Sequence, residues 1–141
     1  MIDILMLVDS YIRDDELIKK YVDTENNIFY NHYPEAESIN GPIIVLDELS
    51  DPTPRIFGDN KIIAQNYLIQ INVYTKSNTS YNARIARNEI MQRITDILSE
   101  EIGMENTSSS KPEYNPDYNV YLSIKRFSRT FYYDKNFEGE I

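Results

Sequence analysis

A long amphipathic helix is the clearest pattern of apolar and polar positions in the chain. After the polar segment 77–80, apolar residues recur at three- and four-residue spacing, the spacing of one helix face. These positions are Ala83, Ala86, Ile90, Ile94, Ile97 and Leu98. Gly103 follows directly and predicts the end of this helix, because glycine readily adopts the left-handed backbone found there.

A second helical pattern opens the chain. Residues 2–12 place apolar side chains near one stripe, and Asp9 is the one position out of character. Asp14 is predicted to cap a continuation of this helix. Asp15 and Glu16 then lie in its first turn, where the helix dipole favours acids.

Strict alternation between residues 65 and 75 predicts a half-buried strand, with Tyr67, Ile69, Ile71 and Val73 on one face. The continuous apolar run at 43–46 is typical of a strand buried on both faces. The aromatic segment 28–33 predicts a strand before it, and 55–57 a short strand after it. Residues 50–54 carry two prolines and are predicted to be irregular.

The last strand is predicted to begin near Tyr118. Val120, Leu122 and Ile124 share one parity, whereas Phe127, Phe131 and Tyr133 share the other. This change of frame predicts a β-bulge near Lys125 and Arg126.

These elements predict one α+β domain over residues 1–141, in the order α-β-β-β-α-β. Its mostly antiparallel or mixed sheet is packed by the N-terminal helix and the long amphipathic helix. Residues 103–117 are polar and contain two prolines, which predicts a mobile loop. Residues 134–141 are predicted to be a frayed tail.

The amino-acid composition and the net charge exclude or disfavour several kinds of function. The chain has no cysteine, which excludes disulfides and thiolate metal sites. Its longest apolar runs are far shorter than the roughly 20 residues that cross a bilayer, so we expect a protein that is neither exported nor membrane-bound. The formal net charge of −9 repels phosphates and disfavours conventional nucleic-acid binding.

The residues needed for catalysis are sparse, so the sequence predicts no enzyme and no catalytic, metal or cofactor site. His32 is the only histidine, and the four glycines are too dispersed for a phosphate-binding loop. Acidic groups occur at 14–16 and at Asp47, Glu48 and Asp51, where carboxylates could hold magnesium in a nuclease. We expect these groups to be solvated surface instead.

The charges of the long helix oppose its dipole at both ends. Arg84 and Arg87 lie near the positive N-terminal end, and Asp96, Glu100 and Glu101 lie near the negative C-terminal end. In an assembly, the basic end of one copy could meet the acidic end of the next. These five residues are therefore the predicted self-association site.

Three large side chains flank or lie within the predicted loop: Met104, Tyr114 and Tyr118. Such residues are common where a loop becomes ordered against a partner. They are the predicted partner contacts.

The chain resembles the tail terminator proteins of long-tailed phages (siphoviruses), also described as tail-completion or tail-to-head joining proteins. Three segments carry the resemblance. An aromatic strand at 27–30 precedes a proline-led apolar strand at 41–45. A long strand at 67–75 is followed closely by a helix, and a basic, aromatic strand at 124–133 closes the chain.

The resemblance implies a ring, commonly a hexamer, that caps the completed tail tube and then joins the tail to the head. The implied partners are other copies of the chain, the tail tube protein and a head connector or neck protein. DNA would pass through the ring without being specifically bound. The protein would lie in the tail or neck of the virion, and in the host cytoplasm during assembly.

Three alternatives remain open. The protein could be a head-side connector or stopper of the same neck, a small acidic protein that mimics DNA by charge, or a metal-dependent phage nuclease.

Overall fold

A computed structural model describes residues 2–50, 53–58, 61–78 and 80–132. Within these ranges the helices are α1 Ile4–Ile12, α2 Glu16–Tyr21 and α3 Ala83–Ile97. The strands are β1 Ile28–Tyr30, β2 Ile43–Glu48, β3 Thr53–Gly58, β4 Lys61–Lys76, β5 Glu105–Ser109, β6 Glu113–Asn115 and β7 Val120–Tyr132. The predicted single α+β domain is confirmed. The predicted frayed tail at 134–141 lies outside the described residues.

The described strands form one seven-stranded mixed sheet in the order β1-β2-β4-β7-β5. β3 pairs with β4, and β6 pairs with β7, outside this path. β1 runs parallel to β2, and the other pairings are antiparallel. Among the described pairings, β1 and β5 therefore lie at opposite ends of the path. Among the described residues, no helix combines the length and apolar character needed to cross a membrane.

The main core lies between the sheet and the helices. The predicted face of β4 is buried in this core. The predicted face of α3 belongs to it from Ile90 onward, and Ala83 and Ala86 at the start of that face are also buried. Its members on the first helix include Leu5, Val8 and Ile12. The two amphipathic patterns and the alternating strand thus meet at one layer, which confirms the long helix and the strand. The stripe of the first helix is confirmed except at Met6, which is 60% exposed.

The opposite face of the sheet holds a smaller core. Ile43 and Val45 pack there with Ile39 and Val120, whereas Ile44 and Leu46 point into the main core. This arrangement confirms that β2 is buried on both faces.

The predicted bulge in the last strand is wrong. β7 pairs with β4 without interruption from Tyr132 opposite Ala64 to Val120 opposite Lys76. The frame changes because the two faces are buried at different points along the strand: Val120 belongs to the smaller core, and Phe127 and Phe131 to the main core. The register shift lies in β5 instead, between Asn106 and Ser108.

The start of the chain forms two short helices, and the cap of the second differs from the prediction. Asp15, not Asp14, caps α2, with its carboxylate accepting a hydrogen bond from the backbone N–H of Ile18 at 3.2 Å. Asp9 is buried in α1 and is fully engaged. It accepts hydrogen bonds from Tyr30 Oη at 2.5 Å and from Arg13 Nε and Nη2 at 2.9 and 2.8 Å.

Two segments predicted as irregular contain strands. β3 includes Thr53 and Pro54. In the described sheet it pairs with β4 alone, and its register shifts beside the proline. Edge strands and bulges are the positions at which a strand tolerates proline. Residues 103–117, predicted as a loop, contain β5 and β6, which pair with the far edge of β7. These strands could not be predicted from an apolar pattern, because their side chains are polar. An exposed edge strand is held by backbone hydrogen bonds and needs no apolar face.

The predicted end of the long helix is confirmed. After α3 a π-helical turn runs over Leu98–Ile102, and Gly103 follows with a left-handed backbone, φ 73°. The N–H of Met104 donates to the carbonyl oxygen of Leu98 at 2.9 Å, which closes the turn.

Candidate self-association surface

The N-terminal half of α3 holds two arginines in different environments. Asn82 caps the helix by accepting a hydrogen bond from the N–H of Ile85 at 3.1 Å. Arg84, in the first turn, is exposed. Arg87, one turn later, is only 6% exposed. The two cations are thus neighbours on one helix face, and one of them is buried.

Arg87 has only neutral neighbours among its described contacts. Its Nε and Nη2 donate to Asn88 Oδ1 at 3.1 and 2.9 Å, and its guanidinium lies 5.7 Å from the centre of the Tyr121 ring. The described residues place no carboxylate within 4.0 Å of it. Burial lowers the pKa of Arg87, and repulsion from Arg84 lowers it further. A buried cation without a counter-charge is uncommon in a protein interior.

The ring of Tyr121 on β7 connects Arg87 of α3 to Tyr114 on the neighbouring strand β6. Its ring centre lies 4.5 Å from that of Tyr114 on β6, and Tyr114 Oη donates to Asn119 Oδ1 at 2.7 Å. Tyr114 is 47% exposed. We call Arg84, Arg87, Tyr121 and Tyr114 the arginine–tyrosine cluster. No sequence pattern indicates Tyr121, because the pairing of β6 with β7 brings it beside Tyr114 and the packing of α3 on β7 brings it beside Arg87.

The predicted acidic residues lie at the other end of α3. Glu100 and Glu101 are exposed in the π-helical turn, and the partly exposed Asp96 accepts a hydrogen bond from Gln92 Nε2 at 2.9 Å. At a rise of 1.5 Å per residue, Arg84 and Glu100 are roughly 24 Å apart. The structure therefore keeps the two charged ends of the helix separate within one chain.

The predicted partner contacts divide into one core residue and two surface residues. Met104 is 1% exposed and belongs to the main core, so its prediction as a partner contact is wrong. Its backbone N–H donates to the carbonyl oxygen of Leu98, which holds the residue at the end of the helix, and its side chain packs in the core. Tyr118 is exposed, and its Oη lies 3.4 Å from Glu37 Oε2. Tyr114 and Tyr118 remain accessible.

The two ends of the sheet differ in chemistry. In the part of the chain that the structure describes, β1 pairs only with β2, and β5 only with β7. All five residues of β5 are exposed and polar. At β1, exposed carboxylates lie at both ends: Glu25 in the preceding turn, and Glu48 beside Asn31, whose Oδ1 accepts from the Glu48 N–H at 3.0 Å. We call Glu25 and Glu48, with β1 between them, the acidic edge.

Formal charge follows the same division. Residues 2–50, which form α1, α2, β1 and β2, contain eleven acidic and three basic side chains. Residues 80–132, which form α3, β5, β6 and β7, contain seven of each. The net negative charge is therefore concentrated in the N-terminal part of the chain, which includes β1 and β2.

The other candidate groups have structural partners. Asp47 accepts a hydrogen bond from Tyr33 Oη, and Asp15 pairs with Arg93 at 2.8 Å. The His32 ring packs edge-on against Phe29, with 5.7 Å between ring centres. Within the described ranges, no three His, Asp or Glu side chains come together to hold a metal ion. Asp51 lies outside these ranges.

Comparison of the sequence with protein-family models and with curated proteins gives no match.

Proposed function

We propose that this protein is a structural phage assembly protein. Copies of it form a ring that caps the completed tail tube and then joins the tail to the head. The observation that carries the proposal is the pair of dissimilar free edges, β1 and β5, at opposite ends of the described sheet.

A closed ring requires two different surfaces on each copy, because each subunit contacts one neighbour with one surface and the second neighbour with another. The acidic edge and the arginine–tyrosine cluster supply such a pair: the exposed Glu25 and Glu48 flank β1, whereas the cluster on α3, β6 and β7 contains Arg87, which has no carboxylate partner among its described contacts. Two identical faces would instead favour a closed dimer.

The order of elements also supports the proposal. An aromatic strand, an apolar strand, a long strand, a helix and a long terminal strand occur in the order on which the resemblance to tail terminators rests. The strand β4 extends over 16 residues and pairs with β7, so these two strands form the centre of the described sheet.

The charge of the chain suits a ring on the path of DNA. A formal charge of −9 on each copy, repeated around a ring, creates a lumen from which phosphates are repelled. The duplex could then pass without being held.

Assembly with purified tail tubes tests the proposal. The protein should bind to one end of completed tubes, stop further polymerisation of tube subunits, and appear in electron micrographs as a ring at that end. A protein that binds the head connector and ignores the tube would be a head-side neck protein instead. A protein that binds neither, and remains monomeric at high concentration, would contradict the proposal.

A further inference from the structure

The environment of Arg87 in the single chain is unfavourable for a charged side chain. The side chain is buried, its described donors reach a neutral oxygen, and the exposed Arg84 repels it from the same helix face. Both cations also lie at the end of α3 where the helix dipole is positive. A carboxylate placed beside Arg84 would attract both cations and so offset these unfavourable contributions.

We infer that the arginine–tyrosine cluster is the receptor for the acidic edge of a second copy of this chain, with a carboxylate of that edge, Glu25 or Glu48, pairing with the exposed Arg84 beside the buried Arg87. The inference rests on the proposed ring and specifies which surfaces meet in it. The occupant is a second copy because this chain itself carries exposed carboxylates, Glu25 and Glu48, at the two ends of β1, and β1 lies at the other end of the described sheet path.

The tyrosines make the cluster suitable as an interface. Tyr121 and Tyr114 extend the surface from α3 to the free side of β6, and Tyr114 is half exposed. Tyrosine and arginine are the residues most often responsible for binding energy at interfaces, because each combines a large apolar area with polar groups. A carboxylate that pairs with Arg84 would lie near these rings, and their apolar surface would exclude some water and strengthen the ion pair.

Contact area favours the acidic edge over the other acidic candidate, the end of α3 at Glu100 and Glu101. A helix is about 10–12 Å in diameter, so an end-on contact covers on the order of 100 Å². A stable interface buries about 800 Å² on each partner. α3 is 15 residues long, so its side, with Tyr121 and Tyr114 beside it, offers a longer contact than its end.

Charge reversal with complementary mixing tests the inference. The first variant is Arg84→Glu, at an exposed position where misfolding is not expected. The second combines Glu25→Lys and Glu48→Lys. Each variant alone should associate at least about tenfold more weakly than wild type, because like charges would meet at every interface. An equal mixture should assemble, because alternating copies would place opposite charges at each contact.

Lys19→Glu is the matched control, since it makes the same change of charge at an exposed position on α2. It should assemble far more readily than Arg84→Glu. Arg87→Met provides a second readout: association should weaken, whereas the melting temperature of the monomer should not fall, because the substitution removes a buried charge without a described counter-charge.

The outcomes separate the inference from the proposed function. If wild type forms no ring, the proposed function is wrong and the inference fails with it. If wild type forms rings and Arg84→Glu forms them as readily as Lys19→Glu, the ring stands and this interface is wrong. If Glu100→Lys with Glu101→Lys restores assembly of Arg84→Glu and the acidic-edge variant does not, the helix ends form the contact instead.

Discussion

Arg129 of β7 caps the C-terminal end of the long helix: its Nη1 donates a hydrogen bond to the carbonyl oxygen of Ile102. The guanidinium also lies 4.5 Å from the centre of the Phe131 ring. A cation at this end of a helix offsets the unfavourable placement of Glu100 and Glu101 in the same turn. One side chain thus joins the helix layer to the terminal strand.

Replacing Arg129 by methionine should reduce the free energy of unfolding by about 2 kcal/mol, because a charged hydrogen bond to a helix carbonyl is lost. Arg126→Met on the same strand is the matched control. Among the described residues the Arg126 side chain has one hydrogen-bond partner, Ser108 Oγ at 3.5 Å, so its loss should change stability by less than about 0.5 kcal/mol. Urea denaturation measures both values, and equal effects would show that Arg129 does not stabilise the helix end.

The buried Asp9 should couple energetically to Tyr30. Burial, and then the hydrogen bond to Asp9, raise the pKa of the Tyr30 hydroxyl, which therefore stays protonated and donates. Tyr30→Phe should lower stability by about 1–2 kcal/mol, because a buried carboxylate loses one of its donors. Tyr11→Phe at an exposed position of α1 should be nearly neutral.

A double-mutant cycle with Asp9→Ala checks this coupling directly. The loss from Tyr30→Phe should largely disappear in the Asp9→Ala background. Additive effects of the two substitutions would mean that the hydroxyl and the carboxylate do not interact in the folded protein.

The pair between Asp15 and Arg93 should make stability depend on pH. Partial burial alone would raise the pKa of Asp15, but the hydrogen bonds from Arg93 and from the Ile18 N–H outweigh it and lower the pKa. A carboxyl with a lower pKa in the folded chain stabilises that chain above its unfolded pKa of about 3.9 and loses this contribution as the pH falls.

Arg93→Met should therefore destabilise the protein at pH 7, and the difference from wild type should shrink as the pH falls from about 4 to 2. Thermal unfolding over this range measures it. Arg84→Met is the control, because Arg84 has no carboxylate within 4.0 Å among the described residues. A difference for Arg93→Met that stays constant with pH would contradict the assigned pairing.

Met104 should behave as a core residue. Met104→Ala is expected to cost about 2–5 kcal/mol, the usual range for a buried methionine truncated to alanine. Lys111→Ala in the exposed connection between β5 and β6 should cost less than about 0.5 kcal/mol. A stable Met104→Ala variant with impaired assembly would instead restore this residue as a partner contact.

Burial decided which elements could be predicted from the sequence. Residues such as Ile69 and Ile90 repeat with the period of their element because one face of each is buried, and those predictions hold. β5 and β6 were not predicted, because exposed edge strands carry no apolar pattern. The false bulge at Lys125 arose because two cores, on opposite faces, were interpreted as one.

The candidate site could be predicted only in part. The opposed charges of α3 are visible in the sequence, and Arg84 is exposed as a surface site requires. The burial of Arg87 against Tyr121, 34 positions away, depends on the pairing of β7 with β4 and on the packing of α3 across it. No local pattern marks such a contact.

The mass distribution of the purified wild-type protein over a range of concentrations tests the central claim most directly. Head-to-tail contacts that close predict a cooperative change from monomer to one defined ring, with few intermediate species, measured by native mass spectrometry or analytical ultracentrifugation. A protein that remains monomeric at every concentration, or that stops at a symmetric dimer, would contradict the account.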